Sequence, residues 1–593
     1  MVRVKNYNPS VGEAIFKALI HKKHLRYIIR VTENKRKIFA ELWNAEGSAT
    51  EKAKRVIEEL GEDGARLAQE ELGIPFSLFQ RAGVIGPEES LIIPGGDFYI
   101  PFEIKVEPGG ELVVSPGTVM RFEPEAGITC YGLLRMIGSP ENRIRLLPKD
   151  EAKGWAGVRL EGSETWGSIL SLCEISGALG VVYPGEKTSF GGGLVVADTK
   201  IIKVHNCHFK NCKADYGGGM MAAGTVDLEI IGNTFLECSA KIGSGLALAE
   251  CVGVVLEANK IYNNRCEEDG STGAGAMVSD SQNILLLRND IRGCASSAGA
   301  GIMIVDSQKV FLEENLFFQN TASDETDGNG GGLAVAASRS VEIAKCRFIS
   351  NSASNGAGMV IMRSGDVRVA ECILVENSAA GTEESAGGGA FFGDVADLRL
   401  ERNRFENNMA SVGAGFAAFG SPRISVVGNV LSGNMARKGG GGAAVYDCTS
   451  AQLEDNDFVA NTSYQGAGLL LNASPRSAIK RNRFRANRTG PKEDSLGGGA
   501  VIIDSKRPAV IENEFRDNIS VIAGALMLSG CKNPLVRANN FVGNSGVAGI
   551  VAFSECEGGR MEKNRFRANE VMGEGFVLKN KSDIAEIDNI YQD

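Results

Sequence analysis

The chain has no run of about 18 apolar residues, the length a membrane-spanning helix needs, so none is expected. Histidine is scarce: only His21, His24, His205 and His208 occur in 593 residues, and acid–base chemistry by imidazole is poorly supplied. Three tryptophans and ten tyrosines are few for a surface built to stack on sugars. Positive charge is not in excess, and a net charge of −10 argues against general nucleic-acid binding. The first residues, MVRVKNYNPSVGEAIFKALIHKK, lack the uninterrupted apolar core and small-residue cleavage site of an ordinary secretory signal.

What is abundant is glycine, 75 residues, and what organises the chain is a recurring phenylalanine. Phe209, Phe235, Phe317, Phe348, Phe405, Phe458, Phe484, Phe515, Phe541 and Phe566 share one frame, and Ile261, Ile291, Leu374 and Leu431 fill the missing beats. Asn or Cys lies two residues before each site and again three residues after it. The interval runs from 25 residues (Phe541 to Phe566) to 31 (Phe317 to Phe348), a period that signals a repeat architecture. A glycine turn lies 16 residues before the sites, as Gly219 precedes Phe235 and Gly499 precedes Phe515, with Ala525 and Ile550 replacing it in the last coils. All variation in period falls in the other segment.

Apolar residues alternate within the constant segment, as at Leu246 and Leu248 or Val341 and Ile343, which is a strand signal. One coil of about three short strands cannot bury its own apolar side, but a stack of coils can. The expected fold is mainly β: a right-handed parallel β-helix solenoid of roughly 17 coils with a small N-terminal α+β domain. The columns of Asn233, Asn259, Asn289 and their equivalents are expected to hydrogen-bond along the axis, since buried amides without partners are costly.

Residues 1–95 read as a small α+β cap or docking domain, 96–575 as the β-helix and 576–593 as a C-terminal cap or tail. The alternating segments LRYIIRVTE and RKIFAELWN, joined by Asn34-Lys35-Arg36-Lys37, read as two strands of the first domain. A capping box at Ser48-Ala49-Thr50-Glu51 opens a helical stretch to about Leu72.

The 13 cysteines are an odd number, and most replace small polar residues at turn positions without any pairing logic. Buried free thiols in a reducing, cytoplasmic setting are the expectation, with the cell surface as the alternative.

Residues 97–593 resemble right-handed parallel β-helix proteins of the pectin-lyase-like superfamily. The alternation of Phe-x-x-Asn, as in Phe317 to Asn320 and Phe458 to Asn461, with Gly-Gly-Ala, as in Gly388 to Ala390 and Gly498 to Ala500, resembles the repeats of chlamydial polymorphic outer-membrane proteins. The resemblance implies the fold. It leaves function open among lyases, hydrolases, adhesins and scaffolds. The galacturonase-like Asp pair with Gly-His-Gly and the alginate-epimerase motif are both absent, so no catalytic residue is assigned.

Three groups of residues are candidates for binding. Insertions in alternate coils carry Glu267, Glu268, Asp269, Asp324, Glu325, Asp327, Glu383, Glu384, Glu493 and Asp494, an acidic ridge suited to a basic partner or to calcium; no other cofactor is expected. Arg483, Arg485, Arg565 and Arg567 flank inward phenylalanines and form a basic face toward an anionic partner. His205, Cys207, His208 and Cys212 have zinc-ligand chemistry, but strand alternation points them to different sides, so no metal is assigned. The expected function is that of a non-enzymatic scaffold or binding rod, presenting the ridge to a protein or glycan within a larger assembly. The alternatives are a polysaccharide lyase or hydrolase acting on acidic polysaccharide, and a surface adhesin.

Overall fold

The computed structural model describes residues 32–593 apart from 183, 184, 186, 324–327, 380–382, 491–493, 574 and 593. Three parallel sheets of 19 strands each run the length of a solenoid, and a fourth, narrower ladder has 11 strands. One coil shows the plan. Leu246–Ala249 lies on face A, Val252–Glu257 on face B and Lys260–Tyr262 on face C, and each pairs in register with the equivalent strand one coil on. Nineteen coils at about 4.8 Å make a rod of about 90 Å.

Tight corners separate the faces. The residue at each corner has positive φ, as in Glu250 (53°), Ala258 (53°) and Asn263 (54°), and the ladder residue follows it. That next side chain points inward and forms the columns seen in the sequence. Asn259 donates its backbone N–H and its Nδ2 to Asn289 Oδ1 at 3.0 and 2.9 Å, and Nδ2 also donates to the Ile230 carbonyl at 2.8 Å. Each amide is therefore satisfied by the coils above and below, although it is fully buried. Between the amide columns the aromatic rings stack. Phe458, Phe484 and Phe515 have centroid separations of 4.7 Å, and the rings lie within 8° of parallel.

Several expectations are corrected. The coils number 19 rather than roughly 17, because the solenoid begins at Val84 and continues to the last strand. Val84–Ile85, Ser90–Ile93 and Gly96–Ile100 form the first coil, so the boundary at 95/96 cuts through it. Residues 576–593 do not form a separate cap: Val577–Asn580, Ile584–Ile587 and Ile590–Gln592 are the strands of a further coil. Asn589 continues the amide column (Asn564 Nδ2 to its Oδ1, 2.9 Å), and Tyr591 stacks on Phe566 at 4.9 Å.

Residues 36–43, read as part of a strand, are helical, and of LRYIIRVTE only Thr32 and Glu33 fall within the described residues, also helical. The apolar positions Phe39, Leu42 and Trp43 have helical spacing, and Phe39 stacks on Trp43, which in turn meets Phe79. Helices Ala49–Leu60 and Glu62–Leu72 follow, the first opened by the expected capping box between Ser48 and Glu51. Their buried residues Val56, Leu67 and Ala68, with Ile74, Leu78 and Phe79, belong to the same continuous core as the coils. The helices close the first coil's end of the rod and shield its strand edges.

Candidate functional site

The described part of the acidic ridge is only partly available to a partner. Lys213 Nζ holds Glu267 at 2.9 Å, and Lys241 Nζ holds Glu268 at 3.3 Å while also reaching Asp215 at 3.3 Å. Asp269, Glu383, Glu384 and Asp494 are exposed. Asp494 pushes the Tyr464 hydroxyl pKa up by accepting its hydrogen bond. Asp324, Glu325, Asp327 and Glu493 lie outside the described residues. Among the described residues no three His, Cys, Asp or Glu side chains converge as a metal site.

The basic face divides in two. Arg483 and Arg485 both close on Asp457, at 2.8 and 2.9 Å, and are neutralised there. Arg565 and Arg567 stand exposed on either side of the inward Phe566. The zinc-like cluster is dispersed by strand alternation. Cys207 and Cys212 are buried in the two ladder columns, His205 Nε2 meets Glu229 at 3.0 Å on face B, and His208 faces solvent.

The largest feature was not anticipated. On face A the first and third residues of each strand enter the core, and the second and fourth point out. Those outward residues carry no charge in any coil from Leu194–Ala197 to Val551–Ser554. The second position runs through Val195, Met221, Met277, Met303, Val360, Phe391, Leu470, Val501 and Met527 with alanine between. Phe391, Phe419 and Tyr446 stack outside the core at 5.5 and 4.7 Å. Further along, Leu470, Val501, Ala523, Met527 and Ala552 form a separate apolar cluster, walled by Leu496 and Ile522 of the segment that leads into face A. The result is an uncharged stripe of about 60 Å along the axis, in which Val195, Val360, Leu470, Val501 and Met527 are already buried by this chain and Met221, Met277, Met303, Phe391, Phe419 and Tyr446 are half-buried. Faces B and C, by contrast, are studded with ion pairs such as Glu342–Arg368–Glu401.

The rim at the A–B corner is mostly acidic, with Arg363 among its aspartates, and the opposite rim is mixed, carrying Lys213, Lys241, Arg437, Lys438 and Arg488 beside its carboxylates. Asp280, Asp306, Asp394, Asp447 and Asp504 occupy the A–B corner and are exposed. Glu383, Glu384 and Asp494 stand on the side from which the chain enters face A. The sequence did hold a signal for this stripe. Segments such as LALA, IMIV, MVIM, LAVA and AVII have no polar face at all, the pattern of strands covered on both sides.

The chain matches the family described as right handed beta helix region over residues 152–323, 266–431 and 429–590, and it belongs to that family. Among curated proteins it is similar to the protein bark beetle of Drosophila melanogaster, 30% identical over 84 residues. That stretch is 14% of this chain and 3% of the relative, so the chain matches only a small part of that protein's length. Among solved structures it is similar to tailspike protein 3 of bacteriophage CBA120, at 11% identity and a TM-score of 0.28, over 77% of this chain and 56% of that one. It is also similar to a periplasmic alginate epimerase, at 9% identity and a TM-score of 0.23 over 84% of this chain and 78% of that one. A DFA-IIIase from Arthrobacter chlorophenolicus A6 shows 12% identity and a TM-score of 0.27, over 80% of this chain and 83% of that one.

Proposed function

We propose that this chain is a non-catalytic binding rod that docks an elongated protein segment along the uncharged stripe of face A. The occupant presents an apolar stripe flanked by lysine or arginine. The observation that supports this reading is an uncharged stripe about 60 Å long whose half-buried Met221, Met277, Met303, Phe391, Phe419 and Tyr446 are bordered at the A–B corner by Asp280, Asp306, Asp394, Asp447 and Asp504. The half-buried Met and aromatic side chains adapt to an apolar stripe, and the corner aspartates supply charge complementarity.

The test uses an 18-residue amphipathic Leu/Lys peptide titrated against the full chain by fluorescence anisotropy. Phe391→Glu/Phe419→Glu is expected to weaken binding at least about tenfold, and Arg399→Glu on face B to leave it within about twofold. Equal affinity for all three proteins would refute the reading. Saturable binding of an oligosaccharide with the peptide inert would replace it by the glycan alternative.

The same reading assigns the rod to a reducing, cytoplasmic setting. All 13 cysteines are free, and 12 of them are buried. Burial pushes the Cys130 and Cys294 thiols up to about 12 and Cys448 up to about 11. Cys556 is held down to about 7 by its hydrogen bond with Cys531 but is buried, so access decides labelling: a thiol reagent at neutral pH is expected to label at most the half-buried Cys266 in the folded chain, and all 13 cysteines after non-reducing denaturation. Fewer than 13 reactive thiols in denatured protein from the native source would point to disulfides and an oxidising compartment.

The wider assembly enters on the same terms. No helix among the described residues is long and apolar enough to cross a membrane. The N-terminal helices and the stripe are separate surfaces, so one rod can join two partners.

A further inference from the structure

Where face A turns into face B, a cleft of about 670 Å³ is lined by Asp306, Gln308, Arg339, Arg363, Gly365 and Asp394, with Ala337 and Ala396 between them. It lies on the opposite edge of face A from the acidic insertions, and it is separate from the uncharged stripe. Two columns of side chains build it. The corner column reads Asp306, Ala337, Arg363, Asp394, each one coil beyond the last. The neighbouring column, at the start of face B, reads Gln308, Arg339, Gly365, Ala396 in strict register.

Read across the two columns, small residues and arginines alternate on the diagonal. Ala337 stands beside Arg339 and Gly365 beside Arg363, so each guanidinium borders a place where a side chain has been left out. Gly365 is a true opening: a Cβ built there meets nothing within 4 Å, and its φ lies outside the left-handed region. Backbone geometry does not demand glycine at this position, and the column carries Gln308 and Arg339 in the coils before it.

The charges are also unspent. Some arginines of the rod meet carboxylates, as Arg423 meets Asp397 at 2.8 Å and Arg402 meets Glu371 at 2.9 Å. Among the described residues Arg339, Arg363, Asp306 and Asp394 form no ion pair, although all four line one cleft. The serines between the columns are committed to the backbone: Ser338 Oγ donates to the Ala336 carbonyl and Ser364 Oγ to the Met362 carbonyl, both at 2.8 Å.

We propose that this corner cleft is a binding site for a small hydroxyl-bearing oxyanion, with Arg339 and Arg363 on the carboxylate or phosphoryl group and Asp306, Gln308 and Asp394 accepting from its hydroxyls. The planar guanidinium fork suits either oxyanion, and the carboxylates are acceptors for sugar-type hydroxyls. The volume falls within the range of small-ligand sites.

The test is a saturation-transfer-difference NMR titration of the full chain with D-glucuronate, D-glucose 6-phosphate and D-glucose at low salt. At least one of the two anions is expected to bind saturably and glucose not. Which anion binds decides between a carboxylate and a phosphoryl ligand. Arg339→Gln and Arg363→Gln are each expected to weaken binding at least about tenfold, the scale of one lost charge-assisted contact. Gly365→Gln fills the cleft and is expected to abolish binding while the thermal midpoint and the anisotropy titration with the Leu/Lys peptide stay unchanged. Absence of saturable binding by both anions, equal binding of glucose, or unaltered affinity in the Arg339→Gln/Arg363→Gln double variant would overturn the assignment.

Discussion

Replacing Asn461 by alanine is expected to lower the stability of the rod by about 3–5 kcal/mol in urea denaturation followed by circular dichroism, whereas Asn461→Cys costs about 1–2 kcal/mol. Asn461 Oδ1 accepts from both the backbone N–H and the Nδ2 of Asn434, each at 3.0 Å. Its own Nδ2 donates to the Leu431 carbonyl at 2.8 Å and to Asn487 Oδ1 at 3.0 Å. Alanine leaves the Asn434 N–H buried with no acceptor and strips bonds from three further groups, where each orphaned group costs about 1–3 kcal/mol. Cysteine is milder, because the chain already uses it in these columns. Cys294 Sγ reaches the Ile261 and Arg292 carbonyls at 3.6 Å, and Asn315 Nδ2 donates to Cys346 Sγ at 3.7 Å. These contacts are long and weak, but they leave the carbonyls and the neighbouring side-chain amide with a partner, which alanine does not. If alanine and cysteine proved equally mild, the amide column would be a by-product of the fold rather than one of its supports.

Phe484→Ala is expected to cost about 3–5 kcal/mol in the same measurement, and Phe484→Leu about 1 kcal/mol. Phe484 is fully buried and stacks on Phe458 and Phe515, both at 4.7 Å. Alanine opens a cavity in the middle of a five-ring stack that runs from Phe458 to Phe566. Leucine keeps most of the volume, and the column accepts it naturally at Leu374 and Leu431. A leucine variant as unstable as the alanine one would show that ring stacking, rather than filled volume, holds the coils together.

The coils were legible because each inward position repeats a chemical demand. Phe fills the interior, Asn bridges the coils, and glycine passes where the next backbone comes too close: a Cβ on Gly245 would meet the Gly275 carbonyl oxygen at 2.4 Å. The ends were less legible because demand relaxes there. The first coil carries Phe98 in the phenylalanine column but no Asn or Cys on either side of it, and the last coil carries Tyr591 in place of Phe. Phe39, Leu42 and Trp43 sit at helical spacing within a segment that also alternates over a few residues, and packing on Phe79 selects the helix. The candidate sites were less legible still. Charged residues draw the eye, yet Glu267, Glu268, Arg483 and Arg485 are held by neighbours one or two coils away, contacts that no single repeat reveals. The stripe of face A is defined by what its outward positions omit, and the omission is visible only once inward and outward positions are separated.

The direction of the ladders has a mechanical consequence. The sheet hydrogen bonds and the amide columns all run along the rod, so a pull along its length is shared among three sheets and the amide lines at once. A pull on one chain end loads only the outermost coil, because each coil touches only its neighbours. The rod is therefore stiff when gripped along its side, as an occupant of face A would grip it, and it comes apart one coil at a time when drawn by its end.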